Sequence, residues 1–328
     1  MKRHNNLFEQ IISVDNLELA DINARRGKSN QACIKRHDEN RKPNIKKLHL
    51  SLRCKRYTTS DYTTFTIKEP KERLIYRLPY YPDRIVQHAV MNITMPIFLS
   101  TFTNDTYSCI KKRGVHKALG NLTKSLKNVE GTKYCLKIDI KKFYPSIDHD
   151  ILKNLLRKKF KDKDLLWLFD DIIDSADGLP IGNYLSQYLA NFYLTYFDHW
   201  IKEVQGVTDY FRYADDMVFL SDSKSFLHKL LHNIKKYLTE KLNLTVKENY
   251  QVFLVESRGI DFLGYVSFHD RIRIRKKTKQ NFARKLKRGA DKSTIYSYLG
   301  LLKHGNCINL KNKLLNVAQK VFRAWNKS

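Results

Sequence analysis

The sequence predicts an α+β protein, and three observations carry that expectation. Short apolar segments with strand-like alternation, such as Tyr134 to Ile140 and Thr208 to Leu220, are interspersed with longer segments of helical period. Acidic residues stand at the ends of the short segments and in turns. Hydrophobic residues make up 42% and aromatics 12% of the 328 residues, enough to bury a real core and too many for a disordered chain. Gly (12) and Pro (7) are scarce, so a long flexible linker is not expected. The length suits roughly two or three cooperating lobes.

Taken in order, residues 6–24 carry Leu7, Ile11, Leu17 and Leu19 at an imperfect helical period, and 25–60 is very basic and yields no assignment. Tyr62 to Ile67 and Arg73 to Leu78 read as two strands around the polar turn 68–72. A helix from Asp83 to about Leu99 places Ile85, Val86, Ala89, Val90, Ile93 and Ile97 on one face. Tyr134 to Ile140 reads as a strand ending in charge, followed by helices starting at Asp148 and Asp164 and a turn at 177–180. A long helix is expected from Tyr184 to about Val204, a hairpin over Thr208 to Leu220 and a helix over Ser223 to Leu242. Strands follow at 244–255 and 260–268, and the basic tail reads as helical.

The five cysteines are odd in number and scattered, without a C-x-x-C pair, so reduced thiols are expected rather than disulfides or a zinc site. No apolar run approaches the roughly 18 residues of a membrane span, and the apolar stretch from Ile11 to Val14 is too short for a signal peptide. A soluble intracellular protein is the expectation.

The formal net charge is +28, from 61 Lys and Arg against 33 Asp and Glu. From Arg271 onward there are seventeen Lys and Arg and a single acid, Asp291, interleaved with Phe282, Tyr296, Tyr298, Phe322 and Trp325. Such a segment suits a polyanion, tracking a phosphate backbone while its rings pack on sugars or bases. Charge alone leaves a DNA-binding module, a nucleic-acid enzyme and an anionic-membrane binder open.

The chemistry is concentrated in 211–220, where apolar residues bracket Asp215 and Asp216. Adjacent carboxylates in apolar surroundings repel each other and call for a cation, and hard oxygen ligands suit Mg²⁺. Asp139 ends or interrupts the strand that begins near Tyr134. If that strand lies beside the hairpin, Asp139 and Asp215 would bridge two metals, as in two-metal sites generally.

Tyr213-Ala-Asp-Asp216 resembles the Y-x-D-D box of reverse transcriptases, and Asp139-Ile-Lys-Lys-Phe-Tyr144 resembles their first palm motif. Asp83-Arg-Ile-Val-Gln-His88 through Pro96-Ile-Phe98 is similar to the helix after the fingers in bacterial enzymes of the group II intron type. Gly178-Leu-Pro-Ile-Gly182 through Gln187 and Asn191 resembles the motif beneath the incoming nucleotide, and Gly259 to Tyr265 the primer grip. The resemblance spans about residues 60 to 270 in the family's order. It implies a right-hand polymerase fold: an N-terminal region and fingers over 1–132, a palm over 133–270 with part of the fingers at about 150–180, and a small basic helical thumb over 271–328.

The implied activity is RNA-directed DNA synthesis with two Mg²⁺ ions, Mn²⁺ being a substitute, in the cytoplasm of a bacterial, archaeal or phage-infected cell. By resemblance, Asp139, Asp215 and Asp216 are catalytic and, with the Ile140 carbonyl, hold the metals. Arg73 would clamp the triphosphate, assisted by Lys68 or Lys71. Tyr144 would exclude a ribose 2′-hydroxyl, and Ile181, Gly182 and Gln187 would line the nucleotide site. Phe262, Leu263, Gly264 and Tyr265 would grip the primer. Arg271, Arg273, Arg275, Lys276, Lys277, Arg284, Lys285, Lys287 and Arg288 would hold the template–primer duplex. Many relatives have a lysine where this chain has Tyr250, with Lys247 nearby.

One departure refines the assignment. Most of the family carries Pro-Gln-Gly and then Ser-Pro, where this chain has Pro180-Ile-Gly182 and then Ser186-Gln187. That form resembles the reverse transcriptases of diversity-generating retroelements, which copy a template RNA with frequent errors at adenines. The expected partners are template RNA, cDNA or primer, deoxynucleoside triphosphates and a small basic accessory variability protein. The alternative is a retron, abortive-infection or intron-like enzyme without programmed mutagenesis.

Overall fold

A computed structural model of the chain describes residues 3–68, 72–305 and 307. They form two compact units. The first comprises the described residues within Met1–Asn104, Ile140–Val204 and Lys235–Val246, and the second those within Asp105–Asp139, Gln205–Ile234 and Lys247–Ser328.

In the first unit the expected N-terminal helix is two helices, Phe8–Ile12 and Val14–Ala24. The break falls at Ser13, whose extended backbone ends one helix and whose hydroxyl accepts the Asn16 N–H to cap the next. The unassigned basic stretch forms helices Ala32–Glu39 and Arg41–Arg53, which bury Ile34, Ile45, Leu48 and Leu52 and leave their Lys and Arg mostly in solvent. Asp21 is completely buried beneath them. Burial pushes its carboxyl up, but hydrogen bonds from Arg25, Tyr80 and Arg41 outweigh that and hold it below its ordinary range.

Strands β1 (Thr63–Ile67) and β2 (Arg73–Arg77) pair antiparallel, Thr63 opposite Arg77 and Ile67 opposite Arg73. A wide turn, Tyr80–Arg84, leads into helix Ile85–Leu99, whose apolar face is buried against Val14–Ala24. Helix His149–Lys159 begins at Asp148, whose carboxylate accepts the Ile151 N–H at 3.0 Å. The following helix, Lys163–Asp174, is capped by Asp162 rather than beginning at Asp164; Asp162 accepts from Leu165 and also from Leu7 and Phe8, tying the N-terminus down. The long helix expected over Tyr184 to Val204 is interrupted. Tyr184–Tyr193 ends at Leu194, where ψ rises to −1°, and Thr195–His199 and the wide turn Trp200–Val204 follow.

The motif from Gly178 to Gln187 is fixed by backbone approach. The Ile181 carbonyl accepts the Tyr76 N–H at 2.8 Å, so the motif is hydrogen-bonded to β2. Gly182 has φ +127°, and a β-carbon there would lie 2.3 Å from the Tyr76 carbonyl oxygen. Gly178 has φ +59° and would meet the Tyr144 carbonyl at 2.6 Å. Only glycine allows either approach.

In the second unit β3 (Tyr134–Asp139), β4 (Tyr210–Tyr213), β5 (Asp216–Ser221) and β6 (Gln251–Leu254) form an antiparallel sheet in the order β4-β5-β3-β6. Cys135, Phe211, Val218, Leu220 and Val255 pack with Tyr107, Leu122, Leu126 and Phe262 in one apolar core. Of the strand expected over 244–255 only 251–254 is strand, because 255–258 turns into a short helix. The strand expected over 260–268 is a tight hairpin, β7 (Ile260–Phe262) and β8 (Tyr265–Ser267). The basic tail opens with a third strand of that sheet, β9 (Ile272–Ile274), not a helix, because Ile272 and Ile274 alternate with Arg273 against β8. Helices Lys276–Lys287 and Lys292–Leu302 follow, packed on Phe282, Leu286, Ile295 and Leu302. Helix Lys224–Leu242 starts as expected, with the Ser223 hydroxyl accepting the Phe226 N–H. Among the described residues no helix is long and apolar enough to cross a membrane, and the five cysteines are free thiols.

Replacing Gly182 with Ala should lower unfolding free energy by about 1–3 kcal/mol, the cost of a forced left-handed backbone and a displaced contact. The matched control is Gly120→Ala, in helix Val115–Ser125 with nothing near the added methyl, which should be neutral or stabilising. Denaturant melts of both variants check this; equal stabilities would contradict it.

Candidate active site

The sheet register brings the three acids together. Asp139, the last residue of β3, lies directly opposite Asp216, the first residue of β5. Asp216 also pairs with Tyr213 across the β4–β5 hairpin, which leaves Ala214 and Asp215 as its two-residue tip. Ala214 takes φ +55°, the left-handed conformation such a tip requires. Arg212, fully buried, steadies the tip by donating to the Ala214 carbonyl at 3.3 Å and to the Thr106 hydroxyl at 3.2 Å.

Crowding shows in the ionisation of the group. Burial first, and then the negative charge of Asp139, push the Asp215 carboxyl above its ordinary value. Asp216 is pushed up to about 6, by burial and by Asp139 and Asp215, against the opposing pull of Lys137. One Asp216 oxygen, Oδ1, is buried and accepts no hydrogen bond. Two ammonium groups offset the charge. Lys247 donates to Asp139 Oδ1 at 2.5 Å, and its backbone N–H donates to the Asp139 carbonyl at 2.8 Å. Lys137 approaches Asp216 Oδ1 at 3.5 Å and donates to the Asp261 carbonyl.

Among the described residues no three His, Cys, Asp or Glu side chains converge as a preformed metal shell. The donor set nevertheless fits a divalent cation. It consists of hard carboxylate oxygens, one of them a buried orphan, in a cluster whose lysines already mark where positive charge is needed. Ile140, whose carbonyl is the expected further ligand, pairs with Val246 in an isolated bridge.

Sequence reasoning missed Lys137 and Arg212 and gave Lys247 no role. Lys137 was detectable, since two residues before Asp139 on a strand puts it on the same face. Arg212 and Lys247 had no comparable signal, because their partners are set by the tip and by the chain after Val246.

The residues expected at the nucleotide belong to the first unit. Arg73 is exposed at the start of β2, Lys68 is exposed just after β1, and Lys71 lies outside the described residues. Ile181 and Gly182 are joined to β2 through Tyr76, and Gln187 is half-buried on helix Tyr184–Tyr193. Tyr144 is half-buried, its ring 5.6 Å from that of Phe143. In the expected primer grip, Leu263 and Gly264 form the β7–β8 turn at φ +54° and +91°. Phe262 and Tyr265, paired across the turn, are buried, and the Tyr265 hydroxyl donates to the Leu301 carbonyl.

Not all the basic tail is free. Arg271 pairs with Asp270 and stacks on Phe268, and Arg275 pairs with Asp261. Arg273 also lies over Phe268. Lys276, Lys277, Arg284, Lys285, Lys287 and Arg288 are exposed on or just after one helix, Lys285 reaching over Tyr298.

Residues 67–267 match the family model described as reverse transcriptase (RNA-dependent DNA polymerase). The group II intron-encoded protein LtrA of Lactococcus lactis is 22% identical, over 67% of this chain and 49% of its own. The retron Ec73 reverse transcriptase of Escherichia coli is 29% identical, over 59% of this chain and 65% of its own. The chain thus spans about half to two thirds of the length of these curated relatives. Among solved structures, apo telomerase from Candida tropicalis covers 68% of this chain and 49% of its own, with a TM-score of 0.51 and 13% identity. Telomerase of Candida albicans, in complex with a fragment of telomeric RNA, covers 81% of this chain and 58% of its own, with a TM-score of 0.51 and 12% identity. These last likenesses show the right-hand polymerase fold.

A carboxyl raised by the fold is favoured in its protonated form, so its contribution to stability is present at low pH and lost as pH rises. For Asp216 the window runs from about 4 to about 6. In chelator, the protein should lose at most roughly 3 kcal/mol across it from this group, and Asp216→Asn should remove that part of the slope. Melting curves across the window test this; an identical pH dependence in the variant would refute it.

Proposed function

The chain belongs to the reverse transcriptase (RNA-dependent DNA polymerase) family, and from that premise we propose that it extends a primer on an RNA template by nucleotidyl transfer. The observation that carries the reading is the register pair Asp139–Asp216 with Asp215 at the adjoining tip. In the reaction the primer 3′-oxygen bonds to the α-phosphorus of a deoxynucleoside triphosphate, and the bond to pyrophosphate breaks.

Asp139, Asp215 and Asp216, with the Ile140 carbonyl, would hold two Mg²⁺ ions, for which Mn²⁺ can substitute. Bound there, the ions supply charge neutralisation for attacking and leaving oxygens. The protein's own contribution is positioning. Arg212 fixes the tip, and β3 and β5 fix the spacing of the acids. Lys137 and Lys247 neutralise the acids until cations arrive. Arg73, with Lys68 or Lys71, binds the triphosphate, and Tyr144 selects against a 2′-hydroxyl. Leu263 and Gly264 meet the primer, and the exposed Lys and Arg of 276–288 grip the duplex backbone.

The finer reading is error-prone copying for a diversity-generating retroelement, with an accessory variability protein as partner. It is supported by Ile181 and Gln187 in the motif held against β2. Because the Ile181 backbone is pinned by Tyr76, its effect on selection lies in a side chain that offers apolar contact where glutamine would offer an oriented hydrogen bond. The similarity to the retron enzyme favours the alternative, a reverse transcriptase without programmed mutagenesis.

Primer extension on RNA with Mg²⁺ should be robust in the wild type and fall roughly 10³-fold in Asp215→Ala and Asp139→Ala, several kcal/mol of transition-state stabilisation. Extension unaffected by either change would end the proposal. Sequencing the cDNA of Ile181→Gln should show errors opposite template adenine reduced by up to about tenfold, the worth of one oriented hydrogen bond. An unchanged error spectrum would favour the alternative.

A further inference from the structure

The motif from Gly178 to Gln187 is anchored at several points within the first unit. The Leu179 N–H donates to the Tyr144 carbonyl at 2.9 Å, and the Tyr76 N–H to the Ile181 carbonyl. The Asn183 amide donates to the Tyr62 hydroxyl at 2.8 Å, and Gln87 accepts the Tyr184 N–H. One further anchor is an imidazole. His149, the first residue of helix His149–Lys159, places Nε2 2.8 Å from the Gly178 carbonyl oxygen and Nδ1 3.3 Å from Asp174 Oδ1. Both neighbours are acceptors, an arrangement satisfied only by a ring that donates from both nitrogens. The other oxygen of Asp174 accepts from Lys153, one turn along the same helix, at 2.6 Å. The carboxylate is thus held between two donors and sets the ring's orientation toward Gly178.

We propose that His149 is a positioning residue for nucleotide binding: its Nε2–H, aimed by Asp174, fixes the Gly178 carbonyl and through it the loop that carries Ile181 and Gly182. Gly178 needs such a partner, because a glycine at φ +59° has a permissive backbone whose carbonyl is otherwise free to swing. The fixed carbonyl governs the loop beyond it. Only Leu179 and Pro180 separate Gly178 from Ile181, which Tyr76 pins, and proline locks its own φ. With both nitrogens engaged, the ring is not a proton-transfer group. Its loss should therefore act on binding: an incoming nucleotide must first order a loop that is only partly in place, which weakens apparent affinity and spares the chemical step. That the ligand is a nucleotide rests on the reading as a reverse transcriptase; the anchoring of the loop rests on the geometry alone.

The test takes two measurements on the full chain. Hydrogen exchange over 176–184, read by mass spectrometry without nucleotide or template, reports the loop itself. It should be roughly tenfold faster in His149→Leu, which keeps bulk and loses both donors, the worth of one hydrogen bond. In His149→Gln, whose amide can donate where Nε2 does, it should return close to the wild-type rate. Asp174→Asn, at an exposed side chain, should give a smaller rise of about threefold, because the ring keeps its bond and loses its orientation. Primer extension then gives KM for deoxynucleoside triphosphate. It should be roughly tenfold higher in His149→Leu and near wild type in His149→Gln, with kcat within about twofold in both. A merely structural role would lower the active fraction, and so the apparent kcat, and leave KM unchanged. Unchanged exchange in His149→Leu would overturn the proposal, as would a Gln variant as impaired as the Leu variant, or a loss confined to kcat. A wild type that extends no primer would end the polymerase reading, and the exchange measurement would still decide the anchoring.

Discussion

Three carboxylates at one end of a sheet repel each other, and the candidate site depends on how that repulsion is relieved. Two unit charges a few ångströms apart in a partly buried setting cost roughly 4 kcal/mol, enough to distort a hairpin. Lys247 on Asp139 and Lys137 near Asp216 bring the cluster close to balance. The residual strain appears where the cations fall short: Asp215 and Asp216 are shifted toward their protonated forms, and one Asp216 oxygen, 3.5 Å from the Lys137 ammonium, accepts no hydrogen bond. The site thus retains demand for positive charge, and its hard carboxylate oxygens fit a divalent cation.

The same unit shows why the acids sit where they do. A two-residue tip forces Ala214 into the left-handed region, a cost of about 1 kcal/mol or more for a residue with a β-carbon. Buried Arg212 offsets it by holding the Ala214 carbonyl. The tip therefore presents Asp215 as part of a braced turn. In the first unit a comparable constraint is built from absence: Gly178 and Gly182 let two backbones touch where any side chain would hold them apart. Both devices convert sequence choices of one residue into fixed positions for functional groups.

Much of this was legible in the sequence. The strand at Tyr134, the hairpin around Asp215 and the helix from Ile85 follow from apolar period and turn chemistry, and they appear nearly as read. The misses have local causes. Ser13 splits a helix because its hydroxyl caps better than it continues, and Asp162 outcompetes Asp164 because it also binds two N-terminal amides. The strand at Ile272 was hidden by its arginines: Ile-Arg-Ile alternates like a strand, but in a strongly basic segment the charge dominates the pattern. The long-range partnerships of Arg212 and Lys247 have no signature in sequence, since they exist only once the sheet has formed.

Net charge is a poor guide to where an anion binds, and the partnering of individual cations is a better one. The tail carries the largest excess of Lys and Arg, yet Arg271 and Arg275 are committed to Asp270 and Asp261, where they brace the sheet that leads into the basic helices. The exposed Lys and Arg of 276–288 are screened by solvent and form a diffuse, salt-sensitive positive surface. Arg26, Lys28 and Arg84 are fewer but converge on one cavity, where burial first and then their charge push His88 well below its ordinary range.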